Sequence, residues 1–427
     1  MSRTGFLDNL TTEQTETLKE LWKRLFDTFD QESEESTKRS SGSGTSTPAA
    51  SPLTAKPKIK LGGLFRKKKT YSVDDNDGAS INSALSMSDR SPSRSELVLN
   101  LPVQLPRGLR EAFWAFVYTD NPDALLLRFL RARKWDVGKA YDMTMATLRW
   151  RLDEYVDEVI LLGEEGIMEM LDQNQAGQGE GFMLQLTSGK SYLGRPDNGG
   201  RPIMYINVRY HHKEDQTLAS LQQFILYMLE TLRLLTAQPV ETACVIFDME
   251  DFTMGNMVNA ANLFYVPKDL ELTEHYPESL GICLVHKAPW IFSGKSGNYP
   301  RHCSLLTFYT AVWKLISPLL DPIVAAKIQM TENNEDLLRY VPKESLPSSL
   351  GGTNETLYRF IPASEDTRTS PTVYPEEIER LEKDIHDLET EYERQTQAWV
   401  DGQGEGEGRR SIAMRHRVAR LRLDHRI

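Results

Sequence analysis

Three short, almost wholly apolar runs, Ile203–Val208, Ala243–Asp248 and Gly281–His286, constrain this chain more than any other feature. Each is too short for an independent helix and too uniformly apolar for a half-solvated strand. Each therefore reads as a strand buried on both faces. Between the first two lies 218–235, with apolar residues at 218, 221, 224, 225, 228, 229, 232 and 235, the spacing of an amphipathic helix. Strand, helix, strand, a helix-length gap and strand again require crossover connections, and so an α/β domain on a mixed, largely parallel sheet. A further helix is expected at 312–328, and Leu350-Gly351-Gly352 closes this domain, assigned to 178–355.

Upstream, residues 101–155 have the helical period, with helices expected at 107–118, 122–133 and 136–155. Turns fall at Asp120-Asn121-Pro122 and Trp135-Asp136, and Asp136 is placed to cap the last helix. This is a small helical bundle. A further helix is expected at 11–29, where Thr11 and Gln14 form a capping box and Leu18, Leu21, Trp22, Leu25, Phe26 and Phe29 form one stripe. A lone helix cannot bury that stripe, so residues 1–30 are expected to dock on the helical domain. Residues 31–100 collapse to Ser, Thr, Pro, Gly and charge and read as disordered linker. Within them Lys56–Lys69 combines Leu64 and Phe65 with Arg66-Lys67-Lys68-Lys69. That pattern fits contact with an anionic membrane, a nuclear import signal, or a solvated linker with phosphorylatable serines.

The chain ends in a helical and basic extension, 374–427. Pro375 opens a helix with Ile378, Leu381, Ile385, Leu388 and Tyr392 on one face, which packs on the domain or pairs with a protein partner. Gly402–Gly408 is a break. Beyond it stand Arg409, Arg410, Arg415, Arg417, Arg420, Arg422 and Arg426. With Ile412, Val418 and Leu421 this segment either lies on an anionic surface or is a solvated tail.

Charge and motifs narrow the function. A net charge of −11 argues against a nucleic-acid partner for the whole chain. Cys244, Cys283 and Cys303 are too few for a disulfide framework or a zinc site, and no HExxH pair appears. No signal peptide and no apolar run of membrane-spanning length is visible, which gives the expectation of a cytoplasmic protein. Gly294-Lys295-Ser296 has the end of a P-loop, but Pro289 stands where the first Gly should be. No catalytic constellation emerges, so an enzyme is not expected, nor a cofactor or a metal.

Several segments in fixed order then match a known pattern. Leu126-Leu127-Arg128-Phe129-Leu130-Arg131-Ala132-Arg133-Lys134-Trp135-Asp136 resembles the signature of the CRAL-TRIO N-terminal helical domain. Gly200-Arg201-Pro202-Ile203, Phe247-Asp248, Tyr276-Pro277-Glu278-Ser279-Leu280-Gly281, Lys287-Ala288-Pro289-Trp290, Leu320-Asp321-Pro322 and Leu350-Gly351-Gly352 follow in the family's order. The resemblance covers roughly 107–355 and is strongest to the secretory phosphatidylinositol transfer proteins of that family.

The resemblance implies a carrier that encloses one lipid in an apolar cavity, floored by the sheet and closed by a gate helix. Holding acyl chains out of water is worth about 0.8 kcal/mol per CH₂. The gate would be the helix bearing Val312, Trp313, Leu315, Ile316, Leu319 and Leu320. The head-group site carries over to Arg133 and Lys134, Glu278 and Lys327. The cations would neutralise phosphate and Glu278 would accept hydrogen bonds from inositol hydroxyls. Members that also take phosphatidylcholine have hydroxyl residues where this chain has Ala243 and Val245, so a second, more apolar lipid is expected in its place. The implied ligand is phosphatidylinositol, exchanged between membranes that the protein touches transiently and peripherally. The alternative is a lipid-sensing scaffold that binds phosphoinositide without transfer and recruits partners.

Two departures from the pattern stand out. Gly294 to Thr310 intervenes between the Ala-Pro-Trp motif and the gate helix. Its codons can carry splice donor, branch-point and acceptor sequences, so it is either a retained intron or a genuine loop over the gate. At 257–275, Pro267 and a weak apolar period replace the family's regular helix, which alters the expected cavity wall.

Overall fold

The computed structural model describes residues 4–41, 106–236, 238–252, 272–288, 325–363, 375–404 and 406–424. The chain divides into Ser33–Ser91 and the remainder, and of the former only the end of the first helix is described. The gate-helix residues, the 294–310 segment and Lys56–Lys69 lie outside the described residues, as does 257–275 except for its last turn.

The helical part opens with α1 (Thr12–Ser41). The expected capping box is present: Gln14 N donates to Thr11 Oγ1 at 3.2 Å, and Thr11 N donates to Gln14 Oε1 at 3.0 Å. The helix runs past the expected end at 29, because no Gly or Pro interrupts 30–41 and Gly42 is the first breaker. The start of the expected linker is therefore helical. Next come α2 (Leu109–Val117), α3 (Pro122–Ala132) and α4 (Val137–Asp153). Asn121 caps α3 by accepting from the backbone of Asp123 and Ala124, with Pro122 at the first helical position.

Two helices follow where none was expected, α5 (Glu158–Asn174), broken at Gly163, and α6 (Gln178–Thr187). Gly163, Gly166, Gly177, Gly179 and Gly181 fall within these two stretches, and glycine weakens the helical signal of a sequence. At Gly179 a Cβ would stand 2.4 Å from the Met168 carbonyl oxygen, so glycine is what lets α6 approach α5.

Among the described residues the sheet has five strands in the order β1-β2-β3-β4-β5. They are β1 (Ser191–Gly194), β2 (Ile203–Asn207), β3 (Ala243–Asp248), β4 (Leu280–His286) and β5 (Ile328–Thr331). β1 runs antiparallel to β2, with Ser191 opposite Ile206, and every other pairing is parallel. The fold class read from the sequence is the one observed. The two edge strands are four residues each and were too short to show a period. β5 begins where the helix expected at 312–328 should end, so that boundary is corrected.

The crossover from β2 to β3 is α7 (Leu218–Leu235), capped by Thr217. The single turns α8 (Leu272–His275) and α9 (Asn334–Leu337) complete the domain, followed by α10 (Pro375–Val400) and α11 (Glu407–Asp424).

Three cores result. The first joins α1 to α4 with α10 and α11: Trp22 meets Phe113 edge-on at 5.3 Å, and Trp114 meets Tyr392 at 5.7 Å. Rings of this size add about 0.5–1.5 kcal/mol per pair beyond their burial. The C-terminal extension is thus built into the bundle. Arg409 and Ile412, expected at a membrane surface or in solvent, are buried because Arg409 is drawn to Asp123 and Ile412 completes the apolar core. The second core packs α5, α6 and α7 on the sheet face carrying Met204, Ile206 and Ala243. The third packs the opposite face, with Tyr205, Cys244, Ile246 and Leu284, against Leu337, Val341, Leu346 and Leu350. The Leu-Gly-Gly motif belongs here: Gly351 has φ +84°, and a Cβ on Gly352 would stand 1.8 Å from the Leu346 carbonyl oxygen.

Candidate functional site

A parallel sheet gathers at one end the residues that precede its strands. Arg201, Glu241 and Glu278 each stand two residues before a strand, β2, β3 and β4, and Lys327 stands directly before β5. Charge from Arg201, Glu241 and Glu278 therefore collects where β2 to β4 begin, while β5 enters further along and sets Lys327 beside the middle of β4. The α3 helix lies against this end. Its Arg131 donates from Nη2 to Glu241 at 2.7 Å and from Nε to Glu278 at 3.2 Å. The same guanidinium donates to the Gly5 carbonyl at 3.0 Å and stacks on the Phe6 ring at 4.1 Å. Arg128, one turn earlier, holds Asp120 at 2.6 Å and lies 3.9 Å from Glu241.

Glu278 follows Pro277 with φ +59°, a conformation that costs a non-glycine residue about 1–3 kcal/mol. Arg131 engages only its Oε2. Among the described residues Oε1 has no hydrogen-bond partner.

The basic pair lies elsewhere on the same turn. After α3 the chain passes through Lys134 at φ +54° and Trp135 at φ +66°, two left-handed residues that swing it into the Asp136 cap of α4. Lys134 is exposed. Arg133 is half-buried in a shallow groove with Lys139, Asp142, Met143, Glu274 and His275. Arg133 and Lys134 are thus near the Tyr-Pro-Glu segment without an ion pair to Glu278. The cation that meets Glu278 is Arg131. Lys327 is half-buried; its carbonyl accepts from Cys283 N at 2.9 Å, and its ammonium has no ion-pair partner among the described residues.

Behind the site a buried charge cluster ties bundle to sheet domain. Arg151 of α4 donates to Glu230 of α7 at 3.0 and 3.3 Å, and also to Asp157. Arg233 donates to Glu230 at 2.9 Å, and Tyr276 donates its hydroxyl to the same carboxylate. Burial alone would raise the Glu230 pKa, but Arg151 and Arg233 outweigh it and hold it at about 2. His275, next to Tyr276, stacks on Trp150 at 4.2 Å, and burial together with the Arg151 charge lowers it to about 4. Tyr276-Pro277-Glu278 is therefore fixed from both sides, by Glu230 at Tyr276 and by Arg131 at Glu278.

The far end of the strands holds a second polar cluster. Arg209 reaches Asp248 at 3.3 Å and Asp251 at 3.0 Å, Lys287 bonds Glu250 at 2.5 Å, and His286 contacts Thr331 at 3.0 Å. Between the two ends, Val245, Phe247 and Val285 point to the face that α5–α7 cover, and each is half-buried. Ala243 and Val245 on this face offer no side-chain hydrogen bond.

Arg131, Glu241, Arg151 and Glu230 were not singled out from the sequence. Arg128 and Arg131 sit three apart on one side of α3, and the common two-residue offset before each strand was there to be read. The Arg151–Glu230 pair spans 79 residues and leaves no local trace.

Known proteins match much of the chain. The CRAL/TRIO domain family matches residues 186–295 and 307–352, and the CRAL/TRIO N-terminal domain matches 84–144. The interruption at 296–306 falls inside the 294–310 segment. The "Phosphatidylinositol transfer protein CSR1" of Eremothecium gossypii is 34% identical over 83% of this chain and 78% of its own length. The "CRAL-TRIO domain-containing protein C3H8.02" of Schizosaccharomyces pombe is 36% identical over 70% of this chain, which spans 61% of that protein's length. The "SEC14 cytosolic factor" of Candida glabrata is 27% identical over 55% of this chain and 71% of its own. Among the described residues no helix is long and apolar enough to cross a membrane.

Proposed function

The chain belongs to the CRAL-TRIO family, and from that premise we propose that it binds phosphatidylinositol and exchanges it between membranes. The observation that carries the reading is the half-covered apolar sheet face, with Glu278 just before β4 and Lys327 just before β5. Val245, Phe247 and Val285 suit acyl chains, whose removal from water supplies most of the binding energy. Lys327, without an ion-pair partner among the described residues, suits the phosphate. The open oxygen of Glu278 suits an inositol hydroxyl, and the Arg131 contact orients that carboxylate. Arg133 and Lys134 contribute positive potential from the neighbouring turn.

Ala243 and Val245 make the same face a poor host for a phosphocholine head group, so a second ligand would be more apolar than phosphatidylcholine. The role needs no catalytic group. Transient, peripheral membrane contact from the cytoplasm is the corresponding location. Labelled lipid in donor vesicles tests the reading. The protein should accelerate transfer of phosphatidylinositol to acceptor vesicles, and Glu278→Ala with Lys327→Ala should abolish the acceleration. Binding without acceleration would instead favour a non-transferring lipid sensor.

A further inference from the structure

Helices α10 and α11 form an antiparallel hairpin whose inner face completes the bundle core, and whose outer face is a groove of about 500 Å³. Its apolar floor includes Leu381, Leu388, Met414 and Val418. Met414 is 60% exposed, Val418 42% and Leu421, one turn on, 50%. The banks of the groove are sorted by sign. Its acids, Asp384, Asp387 and Glu391, all come from α10, and its bases, Arg415 and Arg422, both come from α11. Among the described residues Asp384, Asp387 and Arg422 form no ion pair, while Glu391 is held by Arg394 at 2.7 Å.

We propose that this groove is the interface of a twofold homodimer, in which the hairpins of two copies pack into a four-helix bundle. The sorting of charge selects the occupant. A bilayer of anionic lipid would meet the basic bank but be repelled by the acidic one. A second copy satisfies both, because a twofold contact presents the same patch from each side.

The sorting also selects the axis. If the twofold runs parallel to the helices, α10 of one copy lies over α11 of the other at the same level. In the antiparallel hairpin the Asp384 end of α10 is level with the Arg422 end of α11. Asp384 and Asp387 then face Arg422, and Glu391 faces Arg415, of the partner copy. A twofold perpendicular to the helices would set acid over acid and base over base, which is unfavourable. The exposed methionine and valine lie between the banks, where the two copies would bury them.

Sedimentation velocity of the full chain over a wide concentration range tests this. The wild type should be a concentration-dependent dimer. Arg415→Glu with Arg422→Glu should weaken it about tenfold or more, and so should Asp384→Lys with Asp387→Lys. Combining all four reversals should restore association, since the banks are then exchanged. All these positions are at the surface, and an unchanged melting temperature confirms that each variant folds. Met414→Asp with Val418→Asp should abolish the dimer outright. A wild type that stays monomeric at every concentration overturns the proposal, and does so in favour of a membrane face if anionic vesicles capture it through these residues. A dimer indifferent to every variant overturns it too, as does failure of the fourfold variant to recover.

Discussion

In the helical bundle one buried carboxylate, Asp123, takes donors from both ends of the chain. Trp22 Nε1 of α1 reaches it at 2.8 Å, and Arg409 of α11 bonds the same oxygen while donating to Thr396 at 2.9 Å and Tyr392 at 3.1 Å. In the sheet domain Glu230 plays the equivalent part for Arg151, Arg233 and Tyr276. The chemistry is the same, but the surroundings differ. Around Asp123 the aromatic rings of α1, α2 and α10 close the core on every side. Beyond Glu230 the sheet presents Val245, Phe247 and Val285 half-covered. The bundle closes its own core, while the sheet face keeps these apolar side chains only half-buried.

The largest effects should come from breaking either charge cluster. Glu230→Gln removes the buried counter-ion that Arg151 and Arg233 share and leaves Arg151 only Asp157, at a cost of about 3–5 kcal/mol. Asp123→Asn should cost about as much, because Arg409 is then equally stranded. Urea unfolding at equilibrium measures both. If bundle and sheet domain unfold in one step, both losses fall on the same transition and add in the double variant; two transitions, each moved by only one substitution, would show that they unfold separately.

Acid should act more gradually. Glu230 has its pKa lowered from 4.5 to about 2, so its stabilisation is complete above pH 4.5 and is lost as pH falls toward 2. His275 is lowered from 6.5 to about 4, so the unfolded chain takes up that proton first. Stability should therefore fall already between pH 6.5 and 4. His275→Asn should lessen that first decline, with His211, which burial and the Lys190 charge also lower to about 4, keeping part of it, and should leave the second; chemical denaturation across this range reads both, and a first decline unchanged by the substitution would remove His275 from the account.

A smaller effect is expected at the site itself. Arg131→Met should weaken phosphatidylinositol retention by about tenfold, the worth of one oriented hydrogen bond to a charged group. Retention of a neutral apolar lipid should be unchanged. An equal loss of both would mean that Arg131 holds the fold and does not orient Glu278.

Much of this frame was legible in the sequence. The strands at 203, 243 and 280 announced themselves by uninterrupted apolar runs, and α1 by its stripe and capping box. What escaped has physical reasons. β1 and β5 are too short to show a period, and glycines needed for close packing disguised α5 and α6. The basic tail looked like a surface helix because a buried Arg409 is intelligible only once Asp123, Tyr392 and Trp399 surround it. Glu278 and Lys327 were named from the family resemblance alone. That Arg131, and not Arg133 or Lys134, meets Glu278 depends on two left-handed residues that turn the chain after α3, which no spacing rule foretells.

The central claim is that the half-covered sheet face, with Glu278 and Lys327 at its border, holds phosphatidylinositol. Mass spectrometry of the lipids that co-purify with the protein tests it most directly. The wild type should carry phosphatidylinositol and little phosphatidylcholine, and Glu278→Ala with Lys327→Ala should lose the phosphatidylinositol while remaining folded. Phosphatidylinositol persisting in the double variant, or phosphatidylcholine loaded equally in the wild type, would contradict the account.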